Sequence, residues 1–498
     1  MGVAEESVPA PRASTFGTVV AGIVIGGVEV VFAVSFAALV FDGYLDLYFL
    51  DDGVGLFLGA AALTLAFMAW RAGRRGVVGG LQGTGAAMMA VVSASVVVHG
   101  AGSPNDIFLS ALAAIVVVMV LCGVVFWWLG SRRRGDLIRF VPYPVVGGFL
   151  AGTGWLLFKG GIYVASGVSP FFKPLSDLGA AAALQHWLPA LAFGLILLIA
   201  VRAIKRPLVI PAVIAIGFVV FVAGMVATGS SMAEVRGGGW LLGSFDSAIL
   251  WKTWTFSALG GADWLSVLES WAGIMTAVFV ATFAILFNIS GTELVLDRDL
   301  DTNQELRDAG VLNVLSGALG GIPGYHTLSL TALTERMRVD ARAAGLIAAL
   351  VPLAAVVVGA EVVGLIPKMI VGGVLVFLGL AFIVEWIWDK RRLLPPLEYA
   401  VVWVILAAVI VWGFLIGVVI GLVLAVVLFA VSYGRIELVR EVAFGETYRS
   451  NVDRPQTERA ELRALSDRVQ ILRVSGFVFF GSSNRLLERI ERRIEEET

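Results

Sequence analysis

Cysteine is almost missing from this chain of 498 residues: Cys122 stands alone, inside the apolar run 116–126. A single thiol excludes a disulfide framework and any cysteine-based metal site. Histidine is scarce, with three residues, and no Ser/His/Asp, His-Glu-x-x-His or Gly-x-Ser-x-Gly pattern supports an enzyme. Charge is the third shortage. Asp, Glu, Lys and Arg make up 15% of the residues against 58% apolar ones, and the mean hydropathy is +0.90. A soluble protein is about a quarter charged, and a chain this apolar has too little polar surface to cover itself in water. A soluble enzyme, a disordered chain and a nucleic-acid binder are thereby excluded. A polytopic membrane protein remains.

The N-terminus also lacks a signal peptide pattern. Residues 1–14 are polar, with Glu5 and Glu6, and no basic segment precedes a short apolar stretch. The charge that is present is uneven: residues 435–498 hold 24 charged side chains in 64 positions. The chain therefore reads as a polar tail (1–14), an apolar body (15–434) and a charged C-terminal part (435–498).

Apolar runs separated by charged or turn-rich breaks predict fourteen spans: 16–41, 53–70, 77–98, 107–129, 141–165, 187–203, 207–228, 266–296, 304–322, 326–337, 341–361, 367–388, 396–413 and 414–433. Basic clusters follow only the even-numbered ones, at Arg71/Arg74/Arg75, Arg132–Arg134, Arg202/Lys205/Arg206, Arg336/Arg338/Arg342, Lys390–Arg392 and Arg435/Arg440. The positive-inside rule makes those loops, and both termini, cytoplasmic. The loop 229–263 and its flank carry Trp240, Trp251, Trp254 and Trp264, as expected at a headgroup region.

Two stretches match between the halves. Gly79–Thr84 opens the third span and Gly320–Thr327 the tenth, each a glycine-rich break followed by polar residues and an apolar helical run. The pieces near 81–98 and 326–337 read as half-helices. Two seven-span halves must have opposite topology, and broken helices at matching places in inverted repeats point to a solute site near the midplane.

Three segments carry a family resemblance. Arg139–Phe149 resembles the fifth-span motif of the SulP (sulfate permease) family of anion transporters. Thr302–Leu306 with Gly310, Asn313 and Gly320–Pro323 looks like that family's segment leading into span ten. Ile471–Arg485 resembles the opening of the STAS domain that follows such transporters. The resemblance implies an all-α membrane protein of fourteen segments in a 7+7 inverted repeat. It also implies core and gate domains moving as an elevator, homodimers in the cell membrane, and a partial α/β STAS-like tail at 435–498. The tail shows one strand-like run, 469–480, and one helix, 482–496. That is too little to bury a core, so a fragment or a truncated form is expected.

In this architecture the half-helix N-termini attract anions. Candidate solute ligands are Gln82, Gly83 and Thr84 on one side, and His326, Thr327 and Ser329 on the other. Plain N-capping by Thr84, Thr327 or Ser329 is the alternative. Span eight adds Asn288 and Ser290, with Thr292, and Glu293 as a carboxylate for proton or sodium coupling. Glu293 at the cytoplasmic end beside Asp297–Asp299 is the competing placement. The acidic string 297–308 reads as a solvated loop. Two departures from the family stand out: Leu330 where many members are basic, and Glu29 in place of a first-span proline. Glu29 faces either the site or another helix. The Asn288 segment resembles a branch linked to basic amino acids. The expected activity is secondary transport of a small inorganic anion such as sulfate or bicarbonate, with no cofactor beyond a coupling H+ or Na+ and no metal. Alternatives are basic amino acid or nucleobase transport, or a non-transporting sensor.

Overall fold

The computed structural model describes residues 14–41, 45–100, 102–135, 143–167, 179, 181–206, 208–243, 250, 256–434, 439–444, 451–465, 470–474, 487 and 490–492. Residues 139–142 of the fifth-span motif, Trp251, Trp254 and most of the expected helix 482–496 lie outside the described residues.

Ser14 starts the first helix, its Oγ accepting the Gly17 N–H at 3.2 Å as an N-cap does. That helix, α1 (Thr15–Val40), leads to α2 (Asp46–Arg71), a strand β1 (Gly79–Leu81) and α3 (Gly83–His99). α4 (Pro104–Ser131) begins with a capping box: Asp106 accepts the Ser103 N–H at 2.9 Å and returns its own N–H to Ser103 Oγ at 3.3 Å. α5 (Tyr143–Ser166), α6 (Ala181–Ile204) and α7 (Val209–Ala227) follow, then two short helices, α8 (Met232–Gly237) and α9 (Trp264–Glu269). α10 (Trp271–Leu296) ends at Asp297, whose φ of 50° is left-handed. Asp301 caps α11 (Thr302–Ala318), and β2 (Gly324–His326) and α12 (Leu328–Met337) come next. The remaining helices are α13 (Ala341–Val358), α14 (Ala360–Gly364), α15 (Lys368–Ile383), α16 (Pro396–Trp412) and α17 (Phe414–Gly434).

Each of the fourteen expected segments holds a helix. Among the described residues, eight helices are long and apolar enough to cross a membrane, and four shorter ones are apolar. α11 and α12 are in neither group. α12 has only 10 residues, and α11 carries Glu305, Arg307 and Asp308.

The apolar surface faces outward. α7 exposes Ile216, Val219, Val220 and Val226 by 59–70% and buries little. Water would reject such a face, whereas lipid accepts it. Inside the bundle, small residues bring helices together. α5 meets α15 where Gly161 lies against the Gly372 carbonyl, and a Cβ on Gly372 would stand 2.9 Å from that of Ala165. Close backbone approach of this kind is how helices associate in lipid.

The chain divides into two compact units, Met1–Gly421 and Leu422–Thr498. In the second, β3 (Val439–Phe444) pairs antiparallel with β4 (Gln470–Val474), with α18 (Gln456–Ala464) between them in sequence. β4 falls in the expected strand-like run. β3 and α18 were not expected, because their charge density hides any apolar pattern.

Candidate functional site

The two glycine-rich breaks meet. β1 and β2 form an antiparallel ribbon with Gly79 opposite His326, Gly80 opposite Tyr325 and Leu81 opposite Gly324. Two further bonds extend it: Gln82 N–H to the Pro323 carbonyl at 3.0 Å and Thr327 N–H to the Val78 carbonyl at 2.8 Å. All six strand residues are buried. Irregular backbone at membrane depth must find its partners within the protein, and the ribbon supplies them. Asn313 of α11 clamps it, accepting the Gly324 N–H at 3.2 Å and donating to the Gly324 carbonyl at 2.9 Å. Removing that amide strands buried backbone groups at about 1–3 kcal/mol each. Asn313→Ala is therefore expected to lower the thermal midpoint of the purified protein clearly, where a lipid-facing Val219→Ala leaves it nearly unchanged.

α3 leaves the ribbon after Leu81 and α12 after His326, so two helix N-termini stand at its opposite ends. Their N-caps are Gln82 and Thr327, and neither side chain makes a capping bond. The first N–H groups of each helix have no partner within the helix and carry its positive dipole end. Gln82 instead folds across the ribbon, its Nε2 donating to the Gly80 carbonyl at 3.0 Å and reaching Thr327 Oγ1 at 3.3 Å. Gln82 and Thr84 are buried, Gly83 and Thr327 half-buried, and Ser329 exposed. Thr84 is engaged with the Tyr325 hydroxyl.

Glu29 faces this site. Fully buried on α1, it accepts the Leu81 N–H on one oxygen at 3.1 Å. Its other oxygen makes no hydrogen bond. Gly80 shows how near the groups are: a Cβ there would stand 2.6 Å from Glu29 Oε1 and 2.7 Å from Thr327 Oγ1.

The span-eight candidates are spread along α10. Asn288 is half-buried and its Nδ2 reaches back to the Ala284 carbonyl at 3.4 Å. Ser290 is exposed, and Thr292 is buried with its hydroxyl on the Asn288 carbonyl at 2.7 Å. Glu293 accepts the Leu300 N–H at 3.1 Å and so closes the turn after α10.

His326 is separated from the helix-start set with which the sequence grouped it. Neighbours on a strand point to opposite faces. Tyr325 packs edge-on against Phe126, while His326 turns to α11, its Nδ1 3.8 Å from Glu305 Oε2. The acidic string is a solvated loop only in its first part: Asp297, Asp299 and Asp301 are exposed, whereas α11 buries its two carboxylates. Glu305 is 0% and Asp308 1% exposed, because Arg71 Nη2 and Arg75 Nη2 reach Asp308 at 2.7 and 2.8 Å, and Arg75 Nε lies 3.3 Å from Glu305. Sequence reasoning missed this cluster. The signal was that α11 places its two carboxylates three residues apart, on one helix face.

A lipid-facing helical bundle with two helices broken at a buried strand pair is the architecture of a class of polytopic membrane proteins that includes many transporters. The chain belongs to the sulfate permease family, which it matches over residues 16–406. It is 25% identical over 406 residues to the vacuolar basic amino acid transporter VSB1 of Saccharomyces cerevisiae, a match covering 79% of this chain and 39% of the relative. It is 24% identical to the bicarbonate transporter BicA of Picosynechococcus, covering 79% of this chain and 68% of BicA. The transmembrane domain of a cyanobacterial BicA superposes with a TM-score of 0.58 at 18% identity, covering 82% of this chain and 99% of that one. Murine Slc26a9 in its inward-facing state gives 0.62 at 14% identity, covering 92% of this chain and 74% of that one.

Proposed function

We propose that this protein is a secondary transporter of a small inorganic anion, sulfate or bicarbonate being the leading candidates. The observation that carries the reading is the pair of helix N-termini at one buried ribbon, with the Gln82 amide and the Thr327 hydroxyl between them. Uncapped N–H groups and two converging dipoles suit an anion without any cationic side chain. Solute ligands in this reading are Gln82, Gly83, Thr84, Thr327 and Ser329, with Asn288 and Ser290 of α10 completing the wall. Glu29, whose free oxygen sits beside Thr327, takes the coupling proton or sodium ion, and Glu293 serves the same cycle from the end of α10. The fourteen segments form a 7+7 inverted repeat with both termini cytoplasmic. The body at 15–434 works as an elevator in a homodimer, and 435–498 contributes a STAS-like segment.

A second reading, transport of basic amino acids, is favoured by one feature. The site carries the acidic Glu29 and has Leu330 where the family resemblance leads one to expect a basic residue, and the yeast relative bears that name.

Proteoliposome uptake of labelled sulfate, bicarbonate, nitrate and arginine under H+ or Na+ gradients separates the two. Gln82→Ala and Thr327→Ala are each expected to slow anion uptake about tenfold or more, since a hydrogen bond to a charged group is worth about 1.5–3 kcal/mol. Uptake at the wild-type rate in both variants would remove the ribbon as the binding site.

A further inference from the structure

We infer that His326 and Glu305 form a proton-binding site behind the ribbon, separate from Glu29, whose occupancy sets the affinity for solute. The inference rests on the anion reading above for its sign.

Both side chains are 0% exposed, on different elements, with Nδ1 and Oε2 3.8 Å apart. Neither Glu305 oxygen makes a hydrogen bond, and the His326 imidazole meets only the Asn288 backbone, not the carboxylate. A buried imidazole and carboxylate standing that close without a shared hydrogen bond leave room for one proton to join them. The surrounding charges can be counted. Arg75 and Arg71 come from the end of α2 and the turn after it, and Asp308 comes from α11. Asp301 at the α11 N-cap acts on Glu305 from further off, and α10 presents the Asn288 backbone to His326. Tyr325 is the titratable neighbour on the same strand, and β1 presents Gly79. Two guanidinium groups face two carboxylates, so the inner cluster is neutral with His326 neutral. It becomes singly positive after uptake of one proton, wherever in the pair that proton rests.

The added charge lies close to the solute. His326 immediately precedes Thr327, the N-cap of α12. Two to three residues of extended strand place the charge at about 8 Å from an anion at the helix start. At an effective dielectric of about 20, one unit charge at that distance changes anion affinity about thirtyfold. Linkage is reciprocal, so a bound anion tightens the proton by the same factor. The pair would therefore couple proton and anion movement in the same direction.

The scarcity of histidine makes the test clean. Only His99, His186 and His326 contribute imidazole signals. Full-length protein labelled with 15N-histidine is titrated in lipid nanodiscs between pH 5 and 9, and His326→Gln identifies its signal. The expected result is a His326 signal that titrates in this range and moves in Glu305→Gln, while His99 and His186 are unaffected. A His326 signal that stays fixed in wild type and in Glu305→Gln overturns the proposal. In proteoliposomes an acidic outside is expected to raise labelled sulfate uptake, and His326→Gln to lose that response while keeping uptake at equal pH. An unchanged pH response in His326→Gln also overturns the proposal. A titrating His326 in a protein that moves no sulfate supports the proton site and removes sulfate as the solute.

Discussion

Gly80→Val is expected to abolish solute flux, by about a hundredfold or more, while the protein remains a folded helical bundle. Gly80 sits in β1 opposite Tyr325, and its bare α-carbon is what lets Glu29 and Thr327 approach the strand. A Cβ would lie 2.6 Å from Glu29 Oε1, 2.7 Å from Thr327 Oγ1 and 3.1 Å from Leu330 Cδ1. All three are side-chain atoms, so the added carbon displaces the Glu29 carboxylate and the Thr327 hydroxyl from the strand. Overpacking of this kind costs about 1–3 kcal/mol, and flux is lost beyond that because the displaced groups are the proposed ligands. The helices themselves are held elsewhere, by α5 against α15 and α4 against α11. Circular dichroism should therefore be unchanged while flux is lost. Gly80→Ala tests the same contact with the smallest possible side chain and is expected to fall between the two.

Asp308→Asn is expected to produce the largest loss of stability of any single substitution in the charge cluster, about 3–5 kcal/mol. Asp308 accepts from Arg71 Nε and Nη2 at 3.0 and 2.7 Å, and from Arg75 Nη2 at 2.8 Å. The amide leaves two guanidinium groups with one remaining carboxylate, Glu305. Arg71 is 43% exposed and partly recovers solvent, whereas Arg75 at 22% does not, which places the expected value toward the lower end of that range. The exposed pair Arg202–Asp389, at 2.6 Å with both partners more than a third exposed, is the control. Breaking it with Arg202→Ala should cost about 0–1 kcal/mol. Thermal midpoints in one detergent compare the two directly, and equal midpoints would show that the Asp308 cluster does not behave as a buried one.

The places where the sequence was informative have a common physical origin. The half-helices were visible because glycine and proline punctuate the chain locally, and α3 and α12 begin within two residues of the expected starts at 81 and 326. The long spans were visible because lipid selects apolar residues on all sides of a helix. The ribbon was hidden, since Gly79–Leu81 and Gly324–His326 are too short to show alternation and pair across more than 240 residues. The burial of Glu305 and Asp308 was hidden for the same reason: it depends on Arg71 and Arg75, which lie 237 and 233 residues from Asp308. Glu29 announced itself as a carboxylate in an apolar run, but which neighbour it faces is a tertiary fact, settled by the Leu81 N–H. His326 was assigned to the helix start by adjacency to Thr327, and strand alternation turned it the other way.

The central claim is that an anion binds at the ribbon and crosses the membrane from there. Labelled sulfate and bicarbonate uptake into proteoliposomes, measured side by side for wild type, Thr327→Ala and Gly80→Val with arginine as competitor, tests it most directly. The account predicts uptake of at least one of the two anions, resistant to excess arginine, reduced in Thr327→Ala and absent in Gly80→Val. Uptake of arginine alone, or anion uptake that both variants leave intact, would contradict it.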